Sequence, residues 1–318
     1  MHILVMEPFK ERHMVLLREA AGERATLTQV AEQLPADEQR ALLRSADAVI
    51  GEPPLTLLAE DVPVRWVQMS WAGTDMYTRA AIPFPAHMML TNVAGTAYGH
   101  IISQYVLGQV LAIAQNLPAY HDLQRERAWQ SAGPVMTLDG AKVLVFGAGD
   151  IGSYTARRFA GFDASCTGVC RDTSRVREGF DRLVTLADAE ALLPWADVVV
   201  NCLPNTDETV RYLDERRLRC MKRGAILVNV GRGNFIDCEA LARVLAEGHL
   251  RGAALDVTDP EPLPADHPLW SEPRCIITPH QSGGAFGKCD ATEDRICAVC
   301  CENIRRFVAG EPLTHRVR

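Results

Sequence analysis

Short runs with strand-like composition, many of them almost wholly apolar, recur along the chain, and most are separated by stretches with helical spacing. In the first third they fall at residues 2–6, 24–28, 46–50 and 65–69, with a shorter run at 87–91. Residues 11–21 carry a helical pattern closed by Gly22. Further along they recur at 142–146, 164–170, 197–201, 225–230, 252–257 and 275–278, with helices predicted at 188–193, 214–221 and 237–247. Continuous apolar runs are buried on both faces, and strands alternating with helices form parallel sheets. The pattern therefore predicts an α/β protein with two doubly wound parallel-sheet domains, the second of about six strands.

Three helical stretches stand apart from this alternation. Residues 97–115 are apolar around most of the circumference (Ile101, Ile102, Tyr105, Val106, Leu107, Val110, Leu111, Ile113), which predicts a helix covered by a domain cleft or a partner subunit, and a hinge. A polar-faced helix follows at 120–128, and a helix at 288–309 has only a short tail after it.

Composition narrows the class. A chain of 318 residues with 47% hydrophobic and 23% charged residues has the size and make-up of two soluble globular domains. The net charge of −7, with Arg216-Arg217 and Arg305-Arg306 only as pairs, argues against a nucleic-acid partner. The N-terminus lacks a basic region and a long apolar run, and no run has transmembrane length, so a cytoplasmic protein is expected. The ten cysteines are then expected to be free thiols. Cys297 and Cys300 form C-x-x-C, but in a helical pattern without a second pair or a nearby histidine, so no metal is expected.

The apolar run 142–146 ends in Gly147-Ala148-Gly149-Asp150-Ile151-Gly152, a G-x-G-x-x-G turn between a strand and a helix. Gly147 allows the turn, Gly149 lets backbone N–H groups approach a pyrophosphate, and Gly152 lets the helix sit close on the strand. Polar residues stand at four later strand ends: Asn201 to Thr206, Val230-Gly231-Arg232-Gly233, Asp256 to Glu261, and Thr278-Pro279-His280. In an open α/β sheet all four share the carboxyl edge with the glycine turn, where ligands bind. Arg232 between two glycines suits a guanidinium that grips a small carboxylate at two points, and is equally readable as a surface turn residue. His280 is fixed by Pro279 and followed by Gly283-Gly284, and Glu261 sits in a proline-stiffened loop. A carboxylate beside an imidazole favours the protonated ring, as a proton donor requires.

This ordered set resembles the D-isomer-specific 2-hydroxyacid dehydrogenase family over nearly the whole chain, in particular its glyoxylate/hydroxypyruvate reductase branch. The resemblance implies a catalytic trio Arg232, Glu261 and His280, and substrate binding by the backbone N–H groups of Ala72 and Gly73 together with Arg232. It implies cofactor contacts at Gly147, Gly149, Asp150, Ile151, Gly152, Arg171, Cys202, Pro204, Thr209 and Val230, with Asp256 holding the nicotinamide carboxamide. It also implies a substrate domain of residues 1–96 and 285–318, Rossmann-type cofactor domain 97–284 inserted in a flavodoxin-like one, and a homodimer whose arm is the long helix after Gly95.

Where members specific for NAD carry an acidic residue after the second strand, this chain has Cys170 and then Arg171, with Arg175 close behind. That replaces a charge repelling a 2′-phosphate by a cation, and predicts NADPH over NADH. Asp172 argues the other way unless it points to solvent or pairs with an arginine. The expected activity is reduction of a small 2-keto acid to the D-2-hydroxy acid. Phosphoglycerate oxidation and a dinucleotide-sensing, corepressor-like binding protein are the alternatives. Trp71, Met76, Tyr77 and Trp270 are candidate pocket walls.

Overall fold

A computed structural model describes residues 1–30 and 34–318 of the chain. They separate into two compact units, Met1–Tyr98 with Gly284–Arg318, and Gly99–Gly283. Both units are α/β with wholly parallel sheets.

In the first unit β1 (His2–Val5), α1 (Glu11–Ala21), β2 (Thr26–Gln29), α2 (Ala36–Leu43), β3 (Ala48–Ile50), α3 (Leu55–Leu58), β4 (Trp66–Gln68), α4 (Asp75–Thr78) and β5 (Met89–Thr91) form a five-stranded sheet in the order β2-β1-β3-β4-β5. β1, β3 and β4 are buried along nearly their whole length, which is why they read as unbroken apolar runs rather than alternating ones. One face is filled by Leu4, Val49, Val67, Leu57, Leu58 and Tyr77. The final helix, numbered α11 below, runs Asp290–Ala309, packs on α1, and buries Ile296, Cys297, Cys300 and Ile304. Those two cysteines are free thiols in the helix core, and the other eight of the chain are free as well. The tail after α11 runs back antiparallel to β5, with Val317 N–H donating to the Leu90 carbonyl at 2.8 Å.

The second unit contains α5 (Gly99–Ala114), α6 (Leu117–Arg125), β6 (Lys142–Phe146), α7 (Asp150–Ala160), β7 (Ser165–Val169), β8 (Arg182–Val184), α8 (Leu186–Ala189), β9 (Val198–Asn201), α9 (Glu215–Cys220), β10 (Ile226–Asn229), α10 (Cys238–Ala246), β11 (Gly252–Leu255) and β12 (Cys275–Ile277). The sheet order is β8-β7-β6-β9-β10-β11-β12, so it has seven strands where about six are predicted. The extra one, β8, is a three-residue edge strand whose pattern runs from exposed to buried, too short to stand out by periodicity. α5 buries Ile102, Val106, Val110 and Ile113 against α7, β10 and β11, while Ile101, Leu107 and Leu111 stay half-buried. Among the described residues no helix is long and apolar enough to cross a membrane.

Candidate active site

The glycine turn is held by sterics that leave little choice of residue. Gly147 sits at φ 103°, in the region glycine favours, and a Cβ on Gly152 would lie 1.8 Å from the Gly147 carbonyl oxygen. α7 can therefore approach β6 only with glycine at that position. Gly149 precedes the helix in extended conformation without a side-chain cap, so the first N–H groups of α7 lack side-chain partners. Beside Gly149 there is open space. A bare helix N-terminus with a glycine before it fits a dinucleotide pyrophosphate, and Asp150, Ile151 and Gly152 would hold it through their amides. The Asp150 carboxylate is otherwise engaged. It accepts the Gly99 N–H at 2.9 Å, which caps α5.

Two asparagines fix the next two strand ends. Asn201, last in β9, donates to Asn229 Oδ1 at 2.9 Å and accepts the Leu203 N–H at 3.0 Å. Asn229, last in β10, accepts the Gly231 N–H at 3.2 Å and donates to the Arg232 carbonyl at 3.0 Å. Both are fully buried, and a polar residue ending a buried strand is the signal that marks them. Gly231 and Gly233 permit this packing, since a Cβ on Gly233 would stand 1.9 Å from the Thr258 carbonyl oxygen. Arg232 is half-buried between them, and its guanidinium donates to the Gly231 carbonyl at 2.8 Å.

Cys202 begins the loop after β9, its thiol pushed up to about 12 by burial. Val230 is buried and Pro204 exposed. The Thr209 hydroxyl turns back into its own loop, accepting the Thr206 N–H at 2.8 Å and donating to a carbonyl of that loop.

At the ends of β11 and β12 the structure brings His280 and Glu261 together, with Nδ1 2.7 Å from Oε1. Their side chains are 55% and 44% exposed, so the pair is open to a ligand. His280 adopts φ 54°, a left-handed backbone that costs a β-carbon residue about 1–2 kcal/mol. Asp256, 2% exposed, holds the chain there. Its carbonyl accepts the His280 N–H at 2.8 Å. Its Oδ1 accepts the Thr278 hydroxyl at 2.6 Å and the Gln281 N–H at 2.7 Å, and Oδ2 accepts the Ser282 N–H at 2.9 Å. With the Thr278 proton committed to Asp256, the Tyr105 hydroxyl, 2.7 Å from Thr278 Oγ1, is the donor in that contact. Burial above all pushes Tyr105 up to about 12, so it keeps its proton. In the sequence Tyr105 reads only as part of an apolar helix, and nothing there links it to the polar strand end that begins with Thr278.

At the end of β7 the Cys170 thiol donates to the Asp172 carbonyl at 3.2 Å. The Asp172 carboxylate accepts the Ser174 hydroxyl at 2.6 Å and N–H at 3.1 Å and pairs with Arg175 Nε at 2.9 Å. These bonds, chiefly those from Ser174, hold it below the usual carboxylate range. Arg171 is exposed and, among the described residues, has no ion pair. In the first unit, Ala72 and Gly73 lie on the loop between β4 and α4, and the Ala72 carbonyl accepts Asn92 Nδ2 at 2.8 Å. Trp71, Met76 and Trp270 are exposed, and Tyr77 is buried in the core.

A sheet of this strand order, with a glycine turn and an open helix N-terminus at its first crossover, is that of a dinucleotide-binding domain. The family model described as "D-isomer specific 2-hydroxyacid dehydrogenase, NAD binding domain" matches residues 107–282, and the chain belongs to that family. It is 30% identical to a glyoxylate/hydroxypyruvate reductase A of Serratia proteamaculans over 98% of this chain and 96% of the relative. A crystal structure of a D-isomer specific 2-hydroxyacid dehydrogenase family protein from Aeromonas salmonicida superposes with TM-score 0.87 at 34% identity, covering 100% of this chain and 98% of that one. Another, from Xanthobacter autotrophicus in complex with NADPH and MES, gives TM-score 0.81 at 26% identity over 100% and 98% of the chains. The protein is thus an oxidoreductase that uses a nicotinamide dinucleotide.

Proposed function

We propose that the protein reduces a small 2-keto acid of the glyoxylate or hydroxypyruvate type to the D-2-hydroxy acid, with NADPH preferred over NADH. The observation that carries this reading is the His280–Glu261 pair at 2.7 Å on a backbone pinned by Asp256. The reduced nicotinamide, when bound, supplies the hydride. Glu261 on Nδ1 orients the imidazole, which leaves Nε2 to give a proton to the alkoxide oxygen. Arg232, half-buried between two glycines, binds the substrate carboxylate and polarises the carbonyl. The Ala72 and Gly73 amides also receive the carboxylate, by family resemblance.

Support for NADPH comes from the second strand's end. Asp172 is already satisfied by Ser174 and Arg175, while Arg171 keeps its donors for a 2′-phosphate. The Xanthobacter relative binds NADPH. The Serratia relative's name supports the substrate class. We take the working form to be a cytoplasmic homodimer. Leu117, Trp129 and Val135, exposed at 53%, 104% and 57%, supply apolar surface for a second copy, a state that sedimentation would measure.

The deciding experiment follows oxidation of NADPH and NADH with glyoxylate, hydroxypyruvate and a bulky arylpyruvate. The reading expects the highest kcat/KM for one of the small acids with NADPH. Turnover of the arylpyruvate alone, or of none, would overturn it.

A further inference from the structure

Three side chains from separate strand ends of the first unit meet at the root of the loop bearing Ala72 and Gly73. Glu7 follows β1, Glu52 follows β3 and Ser70 follows β4. The Ser70 hydroxyl oxygen lies 3.1 Å from Glu7 Oε1 and 3.1 and 3.2 Å from the two Glu52 oxygens. Glu52 Oε1 also accepts the backbone N–H of Ser70 at 2.7 Å and of Trp71 at 3.3 Å. Glu7 is 8% exposed and Ser70 fully buried.

The hydrogen count of this cluster does not close with two carboxylates. One hydroxyl proton faces three carboxyl oxygens, one of Glu7 and two of Glu52, all within 3.2 Å of the Ser70 oxygen. Two ionised carboxylates have no hydrogen to place between them. Neither has an ion pair among the described residues. Among the described residues Tyr77, Tyr98 and Cys300 each interact with both glutamates, and all three are raised above their ordinary values, chiefly by burial, and so neutral. Tyr77 donates to the Pro53 carbonyl at 2.7 Å and Tyr98 to the Ser70 carbonyl at 3.1 Å, so neither hydroxyl donates to the glutamates, and among the described residues no cation pairs with them. Burial, then the Glu7 contact, holds Glu52 well above the usual carboxylate range, and like-charge pairs in proteins behave in this way.

We propose that Glu7 and Glu52 share one proton, and that the half-neutralised pair positions the substrate loop, so that the Ala72 and Gly73 amides receive a carboxylate with only one negative charge behind them. Glu52 fixes Ser70 and Trp71, the two residues that lead into those amides. The inference rests on the 2-keto acid reading for its substrate. Its consequence is a pH dependence confined to the keto acid. When the shared proton leaves, a second charge appears beside the anion site, so KM for the keto acid rises with pH while cofactor dissociation stays level.

The test uses the whole chain with NADPH and glyoxylate from pH 6 upward, on the wild type, Glu52→Gln and Glu52→Ala. Glutamine reproduces the protonated partner. It keeps an acceptor for both amides and offers hydrogens to Glu7. The expected result is a wild-type KM that climbs roughly tenfold at alkaline pH, a flat Glu52→Gln profile near the wild type's neutral value, and a high KM for Glu52→Ala throughout. A flat wild-type profile, or a Glu52→Gln profile parallel to the wild type's, overturns the proposal. Unfolding against pH needs no substrate and separates this outcome from failure of the functional reading. A carboxyl raised in the folded state binds more protons there than in the unfolded chain, so stability falls as pH climbs from the ordinary carboxylate value to the folded one. The wild type shows that fall and Glu52→Gln lacks it, whatever the substrate proves to be. An identical pH dependence in the two proteins excludes the shared proton.

Discussion

Replacing Asp256 by Asn changes one atom, and the surroundings of that side chain set the size of the effect. The carboxylate accepts three donors, the Thr278 hydroxyl and Gln281 N–H on Oδ1 and the Ser282 N–H on Oδ2. An amide has one oxygen. If it takes the Oδ1 position, its NH2 meets the Ser282 N–H; if it takes the other, both the Thr278 and Gln281 donors are lost. Ser282 is 5% exposed, so the better arrangement still strands a buried donor, at about 1–3 kcal/mol, and weakens two charge-assisted bonds by up to about 1 kcal/mol each. The total is roughly 1–5 kcal/mol from the second unit. The same bonds hold His280 at φ 54°, so its backbone relaxes, and a shift of about 1 Å costs about 10² in rate. The expected phenotype is a lower denaturant midpoint and a kcat down by about two orders of magnitude, with NADPH dissociation, followed by fluorescence, changed severalfold at most. If the variant unfolded like the wild type, kept its kcat and lost cofactor affinity instead, Asp256 would be a nicotinamide ligand and not the pin of the His280 loop.

Three further substitutions divide the proposed roles. His280→Asn should leave cofactor affinity intact and lower kcat by roughly 10²–10⁴, the usual worth of a positioned general acid, and near-normal turnover would remove it from that role. Arg232→Lys keeps the charge but loses the planar fork, so kcat/KM for the keto acid should drop while cofactor dissociation holds; matched losses in both would make Arg232 structural. Arg171→Ala should reduce the NADPH-over-NADH preference by roughly ten- to a hundredfold in kcat/KM, since a charge-assisted phosphate contact is lost. An unaltered enzyme that prefers NADH would show that Asp172 reads the ribose despite its pairing with Arg175.

Much of this protein is written locally. Runs such as Val143 to Phe146 and Val198 to Val200 have to be buried on both faces, so the two parallel sheets follow from periodicity. Gly147 and Gly152 are legible for the same kind of reason, because a steric exclusion acts between residues a few positions apart. The His280–Glu261 contact was also foreseeable, since both follow strands whose carboxyl ends must share one edge. What sequence left open is the choice of polar partners. Asp150 reads as part of the cofactor turn, yet its carboxylate caps α5, whose first residue lies 51 positions earlier. The Thr209 hydroxyl closes its own loop, and Asp256 is committed to three donors beyond the next strand. Glu7, Glu52 and Ser70 are far apart in sequence, and they form a cluster only because the order β1-β3-β4 sets their strand ends side by side. Apolar burial is non-directional and needs only a face, so the chain's own periodicity encodes it. A hydrogen bond needs a donor and an acceptor within about 3 Å at a fixed angle, and that pairing exists only once strand order and register are settled.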